Sequence, residues 1–454
     1  MPYISLNPAT NKTLKTYTSW DGRQLVAALE QAYHAQRTWV CTTLAERAEC
    51  MHSAATLLHE QVDEYARLIA IEMGKPLREG RAEVEKCALA CDYYAVHGDH
   101  FMQNELVQTD ANKSYVSYHP IGIVLGVMPW NFPFFQVIRF AAPALMAGNG
   151  CVLKHASNVP QCALALEQLF RDAKFTSHLF TTLMIEAADV AEAIASHNVH
   201  AVTLTGSETA GREIASHAGR HLKKCVLELG GSDAFIVLKD ADLEQAASTA
   251  VRSRFQNCGQ SCIAAKRIIP VAEIADEFLS LFIEKAADLK MGDPLSETTQ
   301  LGPMARLDLR DDLHQQVTDS ITQGAQSVLG CEPIPGEGAF YPPSILDRVT
   351  MKTRAYHEEL FGPVAAVIRA TDEEEAVHIA NDTRFGLGSS IWSRDAEHAE
   401  EIAQRIEAGC TFINGMVRSD PRLPFGGTKA SGFGRELSYH GIREFANIKT
   451  VWIR

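Results

Sequence analysis

The chain has 454 residues, of which 46% are hydrophobic and 22% charged, ordinary globular proportions that exclude disorder and a coiled-coil rod. At roughly 150 residues per domain, that length suggests about two or three domains with cores of their own. Lys and Arg total 42 against 56 Asp and Glu, a formal net charge of −14. Such a balance repels a polyanion and no basic run offsets it, so nucleic acid is not an expected partner.

The first hundred residues are helix-patterned, with Leu25, Val26, Leu29 and Tyr33, then Leu57, Leu58, Val62, Tyr65, Leu68 and Ile69, at helical spacing. Gly74-Lys75-Pro76 stops one helix, and another runs from Glu79 to Tyr94. Alternation from Ser114 to Tyr118 marks a strand, one arm of a ribbon. After Pro120 short apolar runs alternate with helical stretches. Strands are expected at Ile121 to Val127, Cys151 to Lys154, Val199 to Thr205 and Cys225 to Leu229. Helices are expected at Phe132 to Ala147, Ala163 to Asp172 and Ala210 to Ala218. A second series follows Gly230-Gly231, with strands near Ala234 to Leu238 and Arg267 to Val271 and helices near Ala241 to Val251 and Ala275 to Leu289. The alternation predicts two α/β units with mainly parallel sheets. No apolar stretch approaches the roughly 18 to 20 residues needed to span a bilayer. Eleven scattered cysteines and an N-terminus without a basic-then-apolar segment read as reduced thiols in a cytoplasmic protein.

Four segments carry candidate chemistry. Phe255-Gln256-Asn257-Cys258-Gly259-Gln260-Ser261-Cys262 sets a thiol among amides and a glycine after a predicted helix. A thiol near pKa 8.5 is only a few per cent ionised at pH 7, so a nucleophile there needs local dipoles or a cation. A buried structural cysteine is the plain alternative, and a Cys258/Cys262 metal pair lacks further ligands nearby. Val226-Leu227-Glu228-Leu229-Gly230-Gly231 puts a carboxylate in an apolar strand, where desolvation raises its pKa toward that of a general base; a salt-bridged strand-end Glu would look the same. In Pro129-Trp130-Asn131-Phe132-Pro133, Asn131 suits either an oxyanion donor or a helix N-cap. Thr205-Gly206-Ser207 ends a strand and opens a helix, a place for a phosphate, although the glycine spacing is not that of a dinucleotide fingerprint.

Together these segments resemble the aldehyde dehydrogenase superfamily, and the resemblance runs nearly the whole length. It includes Asn7-Pro8-Ala9-Thr10, Glu72-Met73-Gly74-Lys75-Pro76, Glu358-Glu359-Leu360-Phe361-Gly362-Pro363 and the closing Pro424-Phe425-Gly426-Gly427 through Arg435-Glu436. It implies an α/β fold with two Rossmann-like parallel-sheet domains and a small oligomerisation ribbon. The NAD(P)-binding domain would comprise residues 1–101 and 121–230, and the catalytic domain residues 231–430. Residues 102–120 and 431–454 would join subunits into homodimers or homotetramers.

The mechanism implied makes Cys262 the nucleophile, with Asn131 and the Cys262 N–H holding the oxyanion of a thiohemiacetal. Hydride transfer would leave a thioester, released by water that Glu228 activates; no metal is required. Trp130, Leu229, Glu359 and Phe361 would border the nicotinamide, and Gly206 and Ser207 the phosphates. NAD-selective members commonly carry a Glu three residues after the lysine of this segment, whereas here it reads Lys154-His155-Ala156-Ser157. A carboxylate repels a 2′-phosphate, while Ser157 donates a hydrogen bond and Lys154 supplies charge, so NADP is expected to be preferred and NAD accepted.

Within the family the likeness is strongest to bacterial members that oxidise succinate semialdehyde. That substrate needs a cation for its distal carboxylate. Arg139, eight residues after Asn131 on the predicted helix, matches an arginine that binds the carboxylate in related mammalian enzymes, its alternative being a salt bridge at the domain seam. A second arginine of those enzymes is replaced by Gln256, and Ser419 with Arg418 or Arg422 would compensate. Glutarate semialdehyde or uncharged aliphatic aldehydes are the rival substrates. A compact turn would let Cys258 and Cys262 form a regulatory disulfide.

Overall fold

A computed structural model of the protein describes residues 3–454; Met1 and Pro2, the start of the segment read above for an export signal, lie outside the described residues. The chain opens differently from the expected run of helices. Tyr3–Asn7 and Lys12–Tyr17 form an antiparallel hairpin, and the second strand is exposed from Lys12 to Thr16, so no in–out alternation marks it. Helices Gly22–Trp39 and Leu44–Glu60 follow, opened by reciprocal caps from Asp21 with Gln24 and from Thr43 with Glu46. Val62–Met73 stops at Gly74, whose left-handed φ of 87° suits glycine. The 26-residue helix Leu77–Met102 then packs on Leu44–Glu60, Val62–Met73 and Phe135–Met146.

Two parallel-rich sheets follow. The first has the spatial order Gly432–Phe433, Lys224–Glu228, Ala201–Thr205, Ile123–Met128, Gly150–His155, Phe180–Thr182. All its neighbours are parallel except Gly432–Phe433 against Lys224–Glu228. Ile123–Met128 comes first in the chain but lies inside the sheet, which grows to one side through Gly150–His155 and to the other through Ala201–Thr205. Open α/β sheets hold ligands beyond the carboxyl ends of strands at such a switch point.

The second sheet runs Gln326–Leu329, Ser344–Asp347, Val364–Val367, Ala265–Pro270, Asp233–Val237, Gly388–Trp392, Cys410–Ile413, parallel but for its first strand. Each sheet has its own apolar core. Among the described residues no helix is long and apolar enough to cross a membrane.

A third, antiparallel sheet joins Glu105–Leu106, Lys113–Pro120 and Ala446–Ile453. The C-terminal segment expected to belong wholly to this ribbon is divided. Gly432–Phe433 extends the first sheet, and Ser438–Glu444 is a helix packed on Leu77–Met102 and Phe135–Met146. Gly432 permits the first of these contacts, because a Cβ there would lie 2.0 Å from the Leu227 carbonyl oxygen. The helix expected from Phe132 begins at Phe135. Its first N–H groups, those of Phe134 and Phe135, donate to the Glu83 carboxylate at 2.9 and 3.0 Å, a cap supplied by another helix.

Candidate active site

Cys262 stands just beyond a strained turn. Helix Leu243–Phe255 ends at Gln256, and Asn257, Cys258 and Gly259 follow with φ of 57°, 54° and 69°. Asparagine and glycine tolerate the left-handed region, but a cysteine there costs of order 1–3 kcal/mol and persists only where its surroundings hold it. They do so from both sides. The Asn257 N–H donates to Glu79 at 2.8 Å, and its side-chain amide donates to the carbonyls of Asn131 (2.8 Å) and Gln260 (3.0 Å). Gln260 accepts from the Ala305 N–H at 2.9 Å, and Arg254 donates to the Leu360 carbonyl at 2.9 Å. Beyond the turn, the Lys266 ammonium donates to the carbonyls of Ser261 (2.6 Å) and Cys262 (2.7 Å).

Asn131 leads from strand Ile123–Met128 toward helix Phe135–Met146 and is buried. One N–H of its amide donates to the Gln260 carbonyl at 3.0 Å, which leaves the other N–H available, while its Oδ1 has no partner. Glu228 ends its strand 2% exposed, with neither carboxylate oxygen hydrogen-bonded. Burial pushes it well above the ordinary carboxylic range; Arg139 and Arg435 oppose that shift and Glu436 adds to it. Arg139 forms a buried ion pair with Glu436, donates to the Thr205 hydroxyl at 3.3 Å and lies 4.8 Å from the Phe425 ring centre. The salt-bridge alternative for Arg139 is therefore realised, with the partner supplied by the chain after Gly432.

A cavity of about 80 Å³ brings together Cys262, Arg139, Gln256 and Ser419, walled by Phe132, Phe135 and Phe425. Asn131 and Glu228 are not part of its wall. Asn131 is tied to the carbonyl two residues before Cys262, and Glu228 lies where a Cβ on Gly426 would be 2.7 Å from its Oε1. The Cys262 thiol is pushed up to about 12 by burial, against the pull of Lys266 and Arg139. The cations that a nucleophile there needs are present, but desolvation outweighs them. Cys258 is buried in the core of the second sheet, whereas Cys262 packs near Leu387, Phe425 and Leu437. Both are free thiols, as are the other nine cysteines.

The residues expected on the cofactor side cluster at the carboxyl ends of the first sheet. Ser207 caps helix Glu208–Arg220 by accepting from the Ala210 N–H at 3.3 Å, and the Gly206 N–H donates to the Glu228 carbonyl at 3.0 Å. Leu229 is buried against Gly211, where a Cβ would come within 2.6 Å of it. Glu359 accepts from the Gly231 N–H at 3.1 Å and pairs with Lys266 at 2.9 Å. Phe361 meets Trp130 edge-on, with ring centres 5.8 Å apart.

Ser157 is exposed just past strand Gly150–His155. Lys154 is 8% exposed and donates to the His155 carbonyl at 2.8 Å; burial lowers its ammonium to about 8, and no carboxylate pairs with it among the described residues. A desolvated cation without a counter-ion beside an exposed hydroxyl fits a phosphate-bearing nucleotide.

Three residues with a place in this site carried no sequence expectation of a role. Lys266 follows Cys262 by four residues inside the buried strand Ala265–Pro270, and a charged pair, Lys266-Arg267, in an apolar run was the available signal. Glu436 was visible only as the end of a motif. Lys86 borders the buried stripe of Leu77–Met102 and reaches the wall of the Cys262 cavity.

The aldehyde dehydrogenase family model matches residues 2–451. The chain is 48% identical over 457 residues to a succinate-semialdehyde dehydrogenase [NADP(+)] of Mycobacterium ulcerans, covering 100% of both chains. It is 47% identical over 449 residues to the succinate semialdehyde dehydrogenase [NAD(P)+] Sad of Escherichia coli, covering 99% of this chain and 97% of that one. The crystal structure of a Streptococcus pyogenes succinic semialdehyde dehydrogenase in complex with NADP+ superposes with a TM-score of 0.97 at 39% identity, over 99% of each chain. With a thiol after a strained turn, an amide tied to the carbonyl two residues before it and a buried carboxylate at the end of a strand of the first sheet, and with these likenesses along its whole length, the chain belongs to the aldehyde dehydrogenase family.

Proposed function

We propose that this protein oxidises succinate semialdehyde to succinate, with NADP preferred over NAD. The observation that carries the reading is the small cavity in which Cys262 shares a wall with basic side chains and Ser419. A nucleophile and cations in one aromatic-walled space suit an aldehyde with an acid at its other end. Cys262 releases its thiol proton to solvent and, as the thiolate, attacks the aldehyde carbon, and the free N–H of Asn131 and the backbone N–H of Cys262 take the oxyanion left on the carbonyl, each such donor being worth about 10²–10³ in rate. NADP, held at Lys154 and Ser157, would supply the hydride acceptor. Glu228 takes a proton from the water that hydrolyses the resulting thioester. The sheet centred on Ile123–Met128 is assigned to the nucleotide and the one centred on Asp233–Val237 to catalysis. Full-length relatives with NADP in their names support the cofactor, and Lys154 with Ser157 supports its 2′-phosphate.

A panel of succinate semialdehyde, glutarate semialdehyde and butanal against both cofactors tests the reading. Succinate semialdehyde with NADP is expected to give the highest kcat/KM, and parity with butanal would overturn it. In the same assay Ser157→Glu is expected to cut the NADP-to-NAD efficiency ratio about 10²-fold, since a like charge against the phosphate costs several kcal/mol. An unchanged ratio would remove Ser157 from cofactor choice.

The ribbon also exposes Leu106, Ile448, Trp452 and Ile453. An apolar edge of this kind supports a homodimer or homotetramer, and a monomer in sedimentation would count against that assembly.

A further inference from the structure

The Cys262 cavity does not stand alone. A second cavity, of about 470 Å³, is lined in part by Lys75, Arg78, Glu79 and Arg252, and it shares Lys86, Phe132, Phe135 and Gln256 with the first. Lys86 therefore sits at the neck between an outer vestibule and the space that holds the thiol. Its ammonium donates to the Ser419 hydroxyl at 2.6 Å and lies 4.2 Å from the Phe135 ring centre.

Several of the other charges near this neck are paired, whereas Arg418, Arg78 and Arg252 are cavity-lining arginines with no ion pair among the described residues. Arg139 is paired with Glu436, Lys75 with Glu83, and Asp420 with Arg422 at 2.6 Å. Gln256 is neutral and Arg418 is exposed. Among the described residues no carboxylate stands within ion-pair distance of Lys86. An ammonium has three donors, and one is used by Ser419, so two remain for a ligand. Desolvation first, and the charge of Arg139 second, lower Lys86 to about 8, as befits a cation that lacks a counter-ion.

We propose that Lys86, held by Ser419 at the neck, binds the distal carboxylate of the substrate, while the Arg139 guanidinium is held by Glu436. The proposal rests on the substrate reading above. It gives the acid a partner whose charge is not already neutralised, and it leaves the aldehyde directed inward to Cys262 in the same cavity. Aromatic faces at Phe132 and Phe135 would cover the short methylene chain between the two ends.

The test is the ratio of kcat/KM for succinate semialdehyde over butanal in the full enzyme with NADP, measured for the wild type and for Lys86→Met, Lys86→Gln and Lys86→Arg. Losing a charge-assisted bond is expected to lower that ratio about 10- to 100-fold in the Met and Gln variants, chiefly through KM for the semialdehyde, with Arg restoring most of it. If the wild type shows no preference, the substrate reading fails and this proposal with it. If the wild type shows the preference and the Met and Gln variants keep it, the reading stands and Lys86 is excluded. A proportional loss toward both aldehydes in both variants makes the lysine structural and overturns the proposal.

Discussion

Glu228→Gln is expected to give an enzyme that completes about one turnover per site and then slows by about 10²–10⁴-fold, the span that a positioned general base contributes. The amide keeps the shape of the side chain but cannot take a proton from water. Thioester should therefore form on Cys262 at its normal rate and then accumulate. The readout is a rapid burst of reduced cofactor equal to the active sites, followed by a depressed steady rate, with hydroxylamine releasing the trapped acyl group. The pH dependence follows from the direction of the shift. Because burial raises the Glu228 carboxyl, its basic form becomes populated only as pH rises above the ordinary carboxylate range, so wild-type deacylation should increase with pH there. That limb should vanish in the Gln variant. A variant with equal depression of the first turnover and no burst would place Glu228 before the thioester, for example in removing the thiol proton.

The parts of this site that were legible in the sequence are those whose geometry is local. Pro129 to Pro133 and Val226 to Gly231 each place a candidate residue at the end of a strand, and Asn257 to Cys262 places one in the turn after a helix, where short-range backbone rules set its position. The parallel strands of the first sheet were legible for a similar reason, since strands buried on both faces read as continuous apolar runs. What the sequence hid were partnerships made only in three dimensions. Lys86 and Ser419 are 333 residues apart, and Arg139 meets Glu436 from beyond the last strand of the second sheet. Spacing along a helix from Asn131 placed Arg139 near the Cys262 cavity, but the chain is helical only from Phe135 and the carboxylate of Glu436 that holds the guanidinium was out of reach of that spacing. The pairing of Gly432–Phe433 with Lys224–Glu228 was equally hidden: two residues are too few to show a period. Desolvation is likewise a property of the assembled fold, so neither the Lys266 charge beside Cys262 nor the burial that outweighs it followed from spacing.

That imbalance sets the second prediction. Cys262→Ala is expected to lower kcat by at least about 10⁴-fold, because the variant has no atom on which the acyl group can be carried. The wild-type thiol itself should behave as its surroundings dictate. With the thiol pushed up to about 12, alkylation of Cys262 by iodoacetamide in the cofactor-free enzyme should climb about tenfold per pH unit from pH 7 to 9, without a plateau below pH 10. Ten other cysteines are present, so the label must be read on the peptide that contains Cys262, and Cys41, the exposed one, provides an internal comparison. Bringing a nucleotide with a positively charged nicotinamide against this site should accelerate labelling at fixed pH, as a further cation favours the thiolate. A labelling midpoint near pH 8 in the free enzyme would mean that Lys266 and Arg139 prevail over burial. Turnover by the alanine variant within tenfold of the wild type would remove Cys262 from the chemistry altogether.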